Sequence, residues 1–180
     1  MDFEETPIPG LLIFHSRVFG DHRGSFFESF NPFISEKTAA PAHFVQDNHS
    51  VSSRGVLRGL HFQKPPYAQG KLVRVVSGKA LDVAVDIRRN SATYGQHFKI
   101  ILEAPGNTAL WVPPGFAHGF LALEDQTIFL YKCTAPYHKD SEHGLMWNDP
   151  ALNIDWGLNE PIMAAKDLEY PPFNQLEALF

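Results

Sequence analysis

An arginine and a histidine interrupt an otherwise apolar stretch at Gly55-Val56-Leu57-Arg58-Gly59-Leu60-His61-Phe62-Gln63. An imidazole titrates near pH ~6.5 when unperturbed, so at cellular pH it can both take and release a proton. A guanidinium offers a planar, multidonor fork that matches phosphate oxygens. Side chains alternate between the faces of a strand, which predicts Arg58, Leu60 and Phe62 on one face and Leu57, Gly59, His61 and Gln63 on the other. His61 and Gln63 then look out together. If their face lines a pocket, His61 is a proton-transfer group.

A second segment, Trp111-Val112-Pro113-Pro114-Gly115-Phe116-Ala117-His118-Gly119-Phe120, feeds a histidine into a strand through a Pro-Gly turn. It has the Pro-x-Gly-x-x-His form common in cupin jelly rolls. In metal-binding cupins that histidine joins a His-x-His pair and an earlier Glu to hold iron or manganese. Here the pair would be His61-Phe62-Gln63, without its second histidine, and His15, His22, His43, His49, His97, His138 and His143 show no common metal-ligand spacing. No metal is expected. The lone Cys133 cannot close an internal disulfide, which suits a reducing compartment, and reads as a small buried hydrophobe rather than a catalytic thiol.

These groups need a scaffold that brings distant strands together. The 180 residues suffice for one domain with a real core, spanning 1–180, and 44% hydrophobic with 19% charged residues is the balance of a soluble globular chain. A formal charge of -5 argues against a general nucleic-acid binder. The acidic start Met1 to Glu5 is unlike a basic secretory leader, and no apolar run reaches the roughly 18 residues of a membrane span, so a cytoplasmic protein is expected.

Fourteen prolines and thirteen glycines divide the chain into short segments, several alternating at period two. Residues 71–77 and 80–87 read as two strands around a tight turn at Gly78-Lys79. Leu81, Val83, Val85 and Ile87 share one face of the second strand; Asp82, Ala84 and Asp86 share the other. Further strands are predicted over 24–30, 44–53, 56–62, 96–102, 109–112, 118–123 and 127–134, with helix only in short pieces near 32–38. So many short strands suggest an all-β fold, a closed barrel or jelly roll with a ligand cavity between its sheets.

Taken together, Asp21-His22-Arg23-Gly24-Ser25-Phe26-Phe27-Glu28, Gln46-Asp47-Asn48-His49-Ser50, the Arg58 to Gln63 stretch, Gln69-Gly70-Lys71-Leu72-Val73-Arg74-Val75, the Pro114 to Phe120 turn, Tyr131-Lys132-Cys133-Thr134 and Trp147-Asn148-Asp149-Pro150 resemble the dTDP-4-dehydrorhamnose 3,5-epimerase family. The resemblance covers nearly the whole chain, in the family's order. It implies a cupin-like jelly-roll homodimer that uses no metal or organic cofactor and takes a dTDP-4-keto-6-deoxyhexose as substrate.

The family's roles carry over residue by residue. His61 matches the base, and Asp167 in Ala165-Lys166-Asp167 matches its acidic partner. Tyr131 matches the proton donor on the opposite face of the sugar, and Lys71 the cation that stabilises charge on O4. For the diphosphate such a substrate brings, Arg58 offers a multidonor fork, with Arg23 a second candidate, and Tyr137 matches the family's tyrosine that stacks on thymine. Phe26, Glu28, Gln46, Asn48, His118, Glu142 and Lys166 fall on or beside substrate-binding positions. In such dimers the N-terminal strands can pair with the neighbouring subunit, so Arg23 to Glu28 are expected to serve the partner's site. By residue type alone, Tyr131 reads as a core aromatic, Lys71 as a solvent-facing lysine and Arg23 to Glu28 as a polar edge strand.

The segment before Asp167, Pro161 to Lys166, lacks polar residues expected in many relatives. Relatives sharing the histidine and tyrosine also include enzymes that invert only C3 or only C5, so a monoepimerase is the alternative reading. A metal-dependent cupin enzyme and a silent sugar-nucleotide binding module are the rivals from other classes. The missing second histidine opposes the first. The coexistence of His61, Lys71, Tyr131 and Asp167 opposes the second.

Overall fold

A computed structural model describes residues 1–38 and 43–180. The described strands are β1 (Asp2–Glu5), β2 (Leu12–His15), β3 (Phe19–Asp21), β4 (Gly24–Phe26), β5 (Gln46–Ser52), β6 (Leu57–Gln63), β7 (Lys71–Ser77), β8 (Lys79–Asp86), β9 (His97–Glu103), β10 (Thr108–Val112), β11 (Phe116–Ala122), β12 (Thr127–Cys133) and β13 (Glu142–Gly144). Among the described residues helix is confined to α1 (Pro32–Lys37), α2 (Ala165–Leu168) and two single 3₁₀ turns. No described helix is long and apolar enough to cross a membrane.

Six strands, in the order β1-β2-β10-β7-β12-β5, face five in the order β13-β6-β11-β8-β9, and β3 and β4 pair only with each other. The fold is a cupin-like jelly roll. Ile13, Val73, Val75, Leu110 and Phe129 from the larger sheet meet Ala80, Ala84, Leu102, Phe116 and Phe120 from the smaller one in the inter-sheet core. A second cluster covers the outer face of the smaller sheet, where Leu57, Leu60, Val83, Val85 and Leu121 pack under Leu145, Leu152, Trp156 and the C-terminal Leu176 and Phe180. The central strands β8 and β11 are therefore buried on both faces, while the edge strand β9 is partly exposed.

The expected turn at Gly78 is present, but its strands do not pair. β7 lies between β10 and β12 and β8 between β11 and β9, so the chain changes sheets at Gly78. Gly78 has φ +71°, and a Cβ there would sit 2.6 Å from Thr127 Oγ1. The expected alternation within β8 holds. Val83 and Val85 face the C-terminal cover, while Asp82 and Ala84 point between the sheets.

The strand predicted over 24–30 ends at Phe26, because β3–β4 is an isolated hairpin and the chain then turns towards α1. Asn31 caps α1 by accepting from the Phe33 N–H at 3.1 Å, and Pro32 occupies its first turn, where no amide donor is needed. Four short strands, β1, β2, β3 and β13, and the helix α2 were not expected from sequence pattern; each spans three or four residues, too few for a period to show.

Candidate active site

A cavity of about 550 Å³ opens between the sheets, with β6 and β11 forming one wall and β5, β7 and β12 the other. Phe120 and Phe129, from opposite sheets, stack at 4.0 Å and 2° within its lining.

His61 enters from β6, and the route by which it does so corrects the simple alternation. The β6–β11 register shifts between the pairs His118↔His61 and Phe120↔Arg58. Gly59 lies at this irregularity with φ +125°; a Cβ on it would sit 2.6 Å from Gly119 Cα, and one on Gly119 would sit 2.7 Å from the Arg58 carbonyl. Two glycines thus let the backbones of β6 and β11 meet at van der Waals distance. The shift moves Arg58 to the cavity side with His61 and Gln63, leaving Leu57, Leu60 and Phe62 in the outer core.

Asp167 reaches His61 from α2. Its Oδ1 lies 2.8 Å from His61 Nε2, and its Oδ2 accepts the Gly59 N–H at 3.3 Å. Burial alone would raise the Asp167 carboxyl, but the His61 bond and charge, the Gly59 N–H and the Lys166 ammonium outweigh it and hold the carboxyl below its usual range. A carboxylate bonded to Nε2 fixes the imidazole's tautomer and leaves Nδ1 with its lone pair. Tyr170 packs edge-on against the same ring, with centroids 5.7 Å apart.

Tyr131 lines the opposite wall from β12. Burial, with Cys133 and Glu142 nearby, raises its phenol pKa against the opposing charge of Arg58, so the resting residue keeps its proton. Lys71, cross-strand partner of Cys133, also lines the cavity. No carboxylate among the described residues lies within 4 Å of its ammonium. Burial pushes its pKa down, opposed by Cys133, Asp82 and Glu142. A poorly solvated ammonium favours an arriving anion.

At the mouth, Glu142 accepts from Lys166 Nζ at 2.8 Å and from the Tyr137 hydroxyl at 3.1 Å. Gln46 Oε1 takes the Tyr137 N–H at 2.8 Å, and its amide donates to Asn48 at 2.9 Å. Arg58 is exposed, donating to Ser52 Oγ at 3.2 Å, with no described carboxylate as partner.

The cavity thus gathers His61, Tyr131, Asp167, Lys71, Gln46, Asn48, Arg58, His118, Tyr137, Glu142 and Lys166. It does not gather Arg23, Phe26 or Glu28. Arg23 is paired with Asp21 on the β3–β4 hairpin, where Phe26 is 66% exposed, and Glu28 follows as an exposed acceptor of the Asn31 amide. The hairpin belongs to neither sheet, so these side chains lie outside the pocket of their own chain.

Asp82 was not anticipated as a site residue. It is fully buried and lies 2.9 Å from His118 Nε2, forming a second carboxylate–imidazole pair. Its signal was an aspartate beside alanine on the less apolar face of a strand. Gln63, Gln69 and Met163 also line the cavity, and only Gln63 was placed on its face in advance.

Among the described residues no three His, Cys, Asp or Glu side chains converge as ligands, and the place of a second cupin histidine is taken by Gln63, whose amide is spent on backbone groups.

The family profile described as dTDP-4-dehydrorhamnose 3,5-epimerase matches residues 5–175. The chain is similar to the dTDP-4-dehydrorhamnose 3,5-epimerase of Shigella flexneri, with 49% identity over 174 residues covering 96% of each chain. The structure of dTDP-6-deoxy-D-glucose-3,5-epimerase from Legionella pneumophila Philadelphia 1, in complex with dTDP-4-keto-L-rhamnose, aligns with a TM-score of 0.92 at 44% identity over 98% of this chain and 95% of that one. That of dTDP-4-dehydrorhamnose 3,5-epimerase from Bacillus anthracis strain Ames, with TDP and PPi bound, aligns at 0.90 with 42% identity over 95% and 99%.

Proposed function

The chain belongs to the dTDP-4-dehydrorhamnose 3,5-epimerase family, and from that premise we propose how its residues convert dTDP-4-keto-6-deoxy-D-glucose to dTDP-4-keto-L-rhamnose. The C4 ketone acidifies the hydrogens on C3 and C5, because the electron pair left by either can move onto O4 as an enolate. His61 Nδ1 takes the proton from one face of the sugar. Asp167 stabilises the imidazolium that results. Lys71 holds the enolate oxygen, and its desolvated ammonium is strengthened as that negative charge develops. As the O4 electrons return to carbon, the Tyr131 phenol delivers its proton to the opposite face, inverting the centre. Imidazolium and phenolate then exchange protons with solvent, and the cycle repeats at the second carbon.

The observation that carries this reading is His61 on β6, held by Asp167 from α2, on one wall of the cavity, with a protonated Tyr131 on β12 and Lys71 on the adjacent β7 lining the other. The nucleotide lies at the mouth in this account. Arg58 binds the diphosphate, Tyr137 stacks on the base, and Gln46, Asn48, His118, Glu142 and Lys166 contact nucleotide or sugar. No cofactor takes part. The chain acts in the cytoplasm as one domain, 1–180, paired as a homodimer. In that dimer the exposed β3–β4 hairpin carries Arg23, Phe26 and Glu28 to the partner's cavity.

Incubation with dTDP-4-keto-6-deoxyglucose in deuterated water, with label located by NMR, tests the reaction. Deuterium at both C3 and C5, with product accepted by a rhamnose-forming reductase, is expected. Label and inversion at one carbon only would place the chain with the monoepimerases, and no exchange despite tight dTDP binding would point to a different keto sugar or a silent binding module.

A further inference from the structure

Gln63 follows His61 by two residues on β6, at the position where a metal-binding cupin carries the second histidine of its pair. Its side chain is buried, with the residue 5% exposed. The amide nitrogen donates to the Tyr67 carbonyl at 2.7 Å and the Pro136 carbonyl at 3.1 Å, and the amide oxygen accepts the His138 N–H at 2.8 Å. A primary amide has two N–H donors, and both are spent within the chain.

Pro136 and His138 flank Tyr137. The Tyr137 N–H is itself held by Gln46 Oε1 at 2.8 Å. The backbone of 136–138 is thus held by one amide from each sheet, Gln63 on β6 and Gln46 on β5. The remaining Gln63 bond fixes Tyr67, whose ring stacks on His138 at 3.9 Å and 3°. Tyr137 is 54% exposed, and beyond the bond from its hydroxyl to Glu142 the loop that carries it is held through its backbone. Fixing a loop before ligand arrives removes an ordering cost from binding.

We propose that Gln63 is a positioning residue for base recognition, locking residues 136–138 so that Tyr137 stands ready at the cavity mouth. The proposal rests on the reading of Tyr137 as the base-stacking residue. It also explains why a position suited to a metal ligand carries an amide: backbone carbonyls and an N–H must be met together, which imidazole cannot do with two nitrogens.

The test is calorimetric titration of dTDP into wild type, Gln63→Ala, Gln63→Met, Tyr137→Ala and the Gln63→Ala/Tyr137→Ala double variant. Gln63→Met keeps the buried volume without the hydrogen bonds and guards against loss of fold in Gln63→Ala. Both Gln63 variants should bind dTDP about tenfold more weakly, equivalent to about 1.4 kcal/mol, with KM raised in proportion and kcat within about twofold of wild type. The double variant should bind no more weakly than Tyr137→Ala, since there is no ring left to position. Additive losses, wild-type affinity in Gln63→Met, or a fall in kcat at unchanged KM would overturn the proposal alone. Wild-type dTDP affinity in Tyr137→Ala would remove the base-stacking reading and this proposal with it.

Discussion

His61 and His118 are register partners on β6 and β11, and each has its Nε2 held by a carboxylate from a different part of the chain: Asp167 at 2.8 Å and Asp82 at 2.9 Å. The first acid comes from a four-residue helix near the C-terminus, the second from the strand next to β11. Asp82 is fully buried, so removing it strands an imidazole in the wall of the cavity. Asp82→Ala should lower stability by about 2 kcal/mol, the scale for a buried group left without its hydrogen-bond partner. Asp82→Asn, which keeps a hydrogen-bonding side chain, should lose much less. Urea unfolding measures both, and equal stability of Asp82→Ala and wild type would contradict the pairing.

The carboxyl of Asp167 is held below its usual value, against the effect of burial, by His61, the Gly59 N–H and Lys166. A depressed acid contributes stability that is present above its unfolded pKa, near 3.8, and is lost as pH falls through the lower folded value. Melting temperature of wild type should therefore drop more steeply below about pH 4 than that of Asp167→Asn, which has no such proton to bind. Parallel acid limbs in the two proteins would contradict the assigned direction.

Arg58 has no described carboxylate partner and stands at the edge of the cavity. Arg58→Ala should weaken dTDP binding by about 2 kcal/mol, the scale of a charge-assisted hydrogen bond, with Arg58→Lys in between because the fork is lost and the charge kept. The wild-type advantage should shrink at high salt. Titration at two ionic strengths checks both. Unchanged affinity in Arg58→Ala would assign the diphosphate elsewhere.

Much of this site was legible in the sequence. His61 and Gln63 could be placed on one strand face because the pattern around them is local. Arg58 could not, since the register shift at Gly59 arises from a close approach to Gly119, sixty residues away. A glycine inside an apolar strand signals such an irregularity without saying which neighbours change face. The pairing of β7 with β10 and β12 rather than with β8 is likewise decided by distant strands, which a local turn at Gly78 cannot announce. Asp167 illustrates the remaining gap. Nothing near it in sequence announces a partner for His61; only the family resemblance selected it, and the 2.8 Å contact then gave that selection a physical basis.

The amide of Gln63 is spent on backbone groups, and no metal-ligand set converges among the described residues. Epimerase activity should survive exhaustive chelation unchanged. Activity that vanished with chelation and returned with added iron or manganese would overturn the cofactor-free account.

The central claim is a division of labour between His61 and Tyr131 on opposite walls of one cavity, and the ratio of solvent exchange to inversion measures it. Keto sugar is incubated in deuterated water with wild type, His61→Ala and Tyr131→Phe, and carbon-bound deuterium and product configuration are followed together. His61→Ala should abolish exchange while retaining dTDP binding. Tyr131→Phe should continue to exchange hydrogen at the retained face while inversion lags behind, because abstraction survives and delivery to the new face does not. Wild-type exchange in His61→Ala, or loss of exchange and inversion in equal measure in Tyr131→Phe, would contradict the assignment.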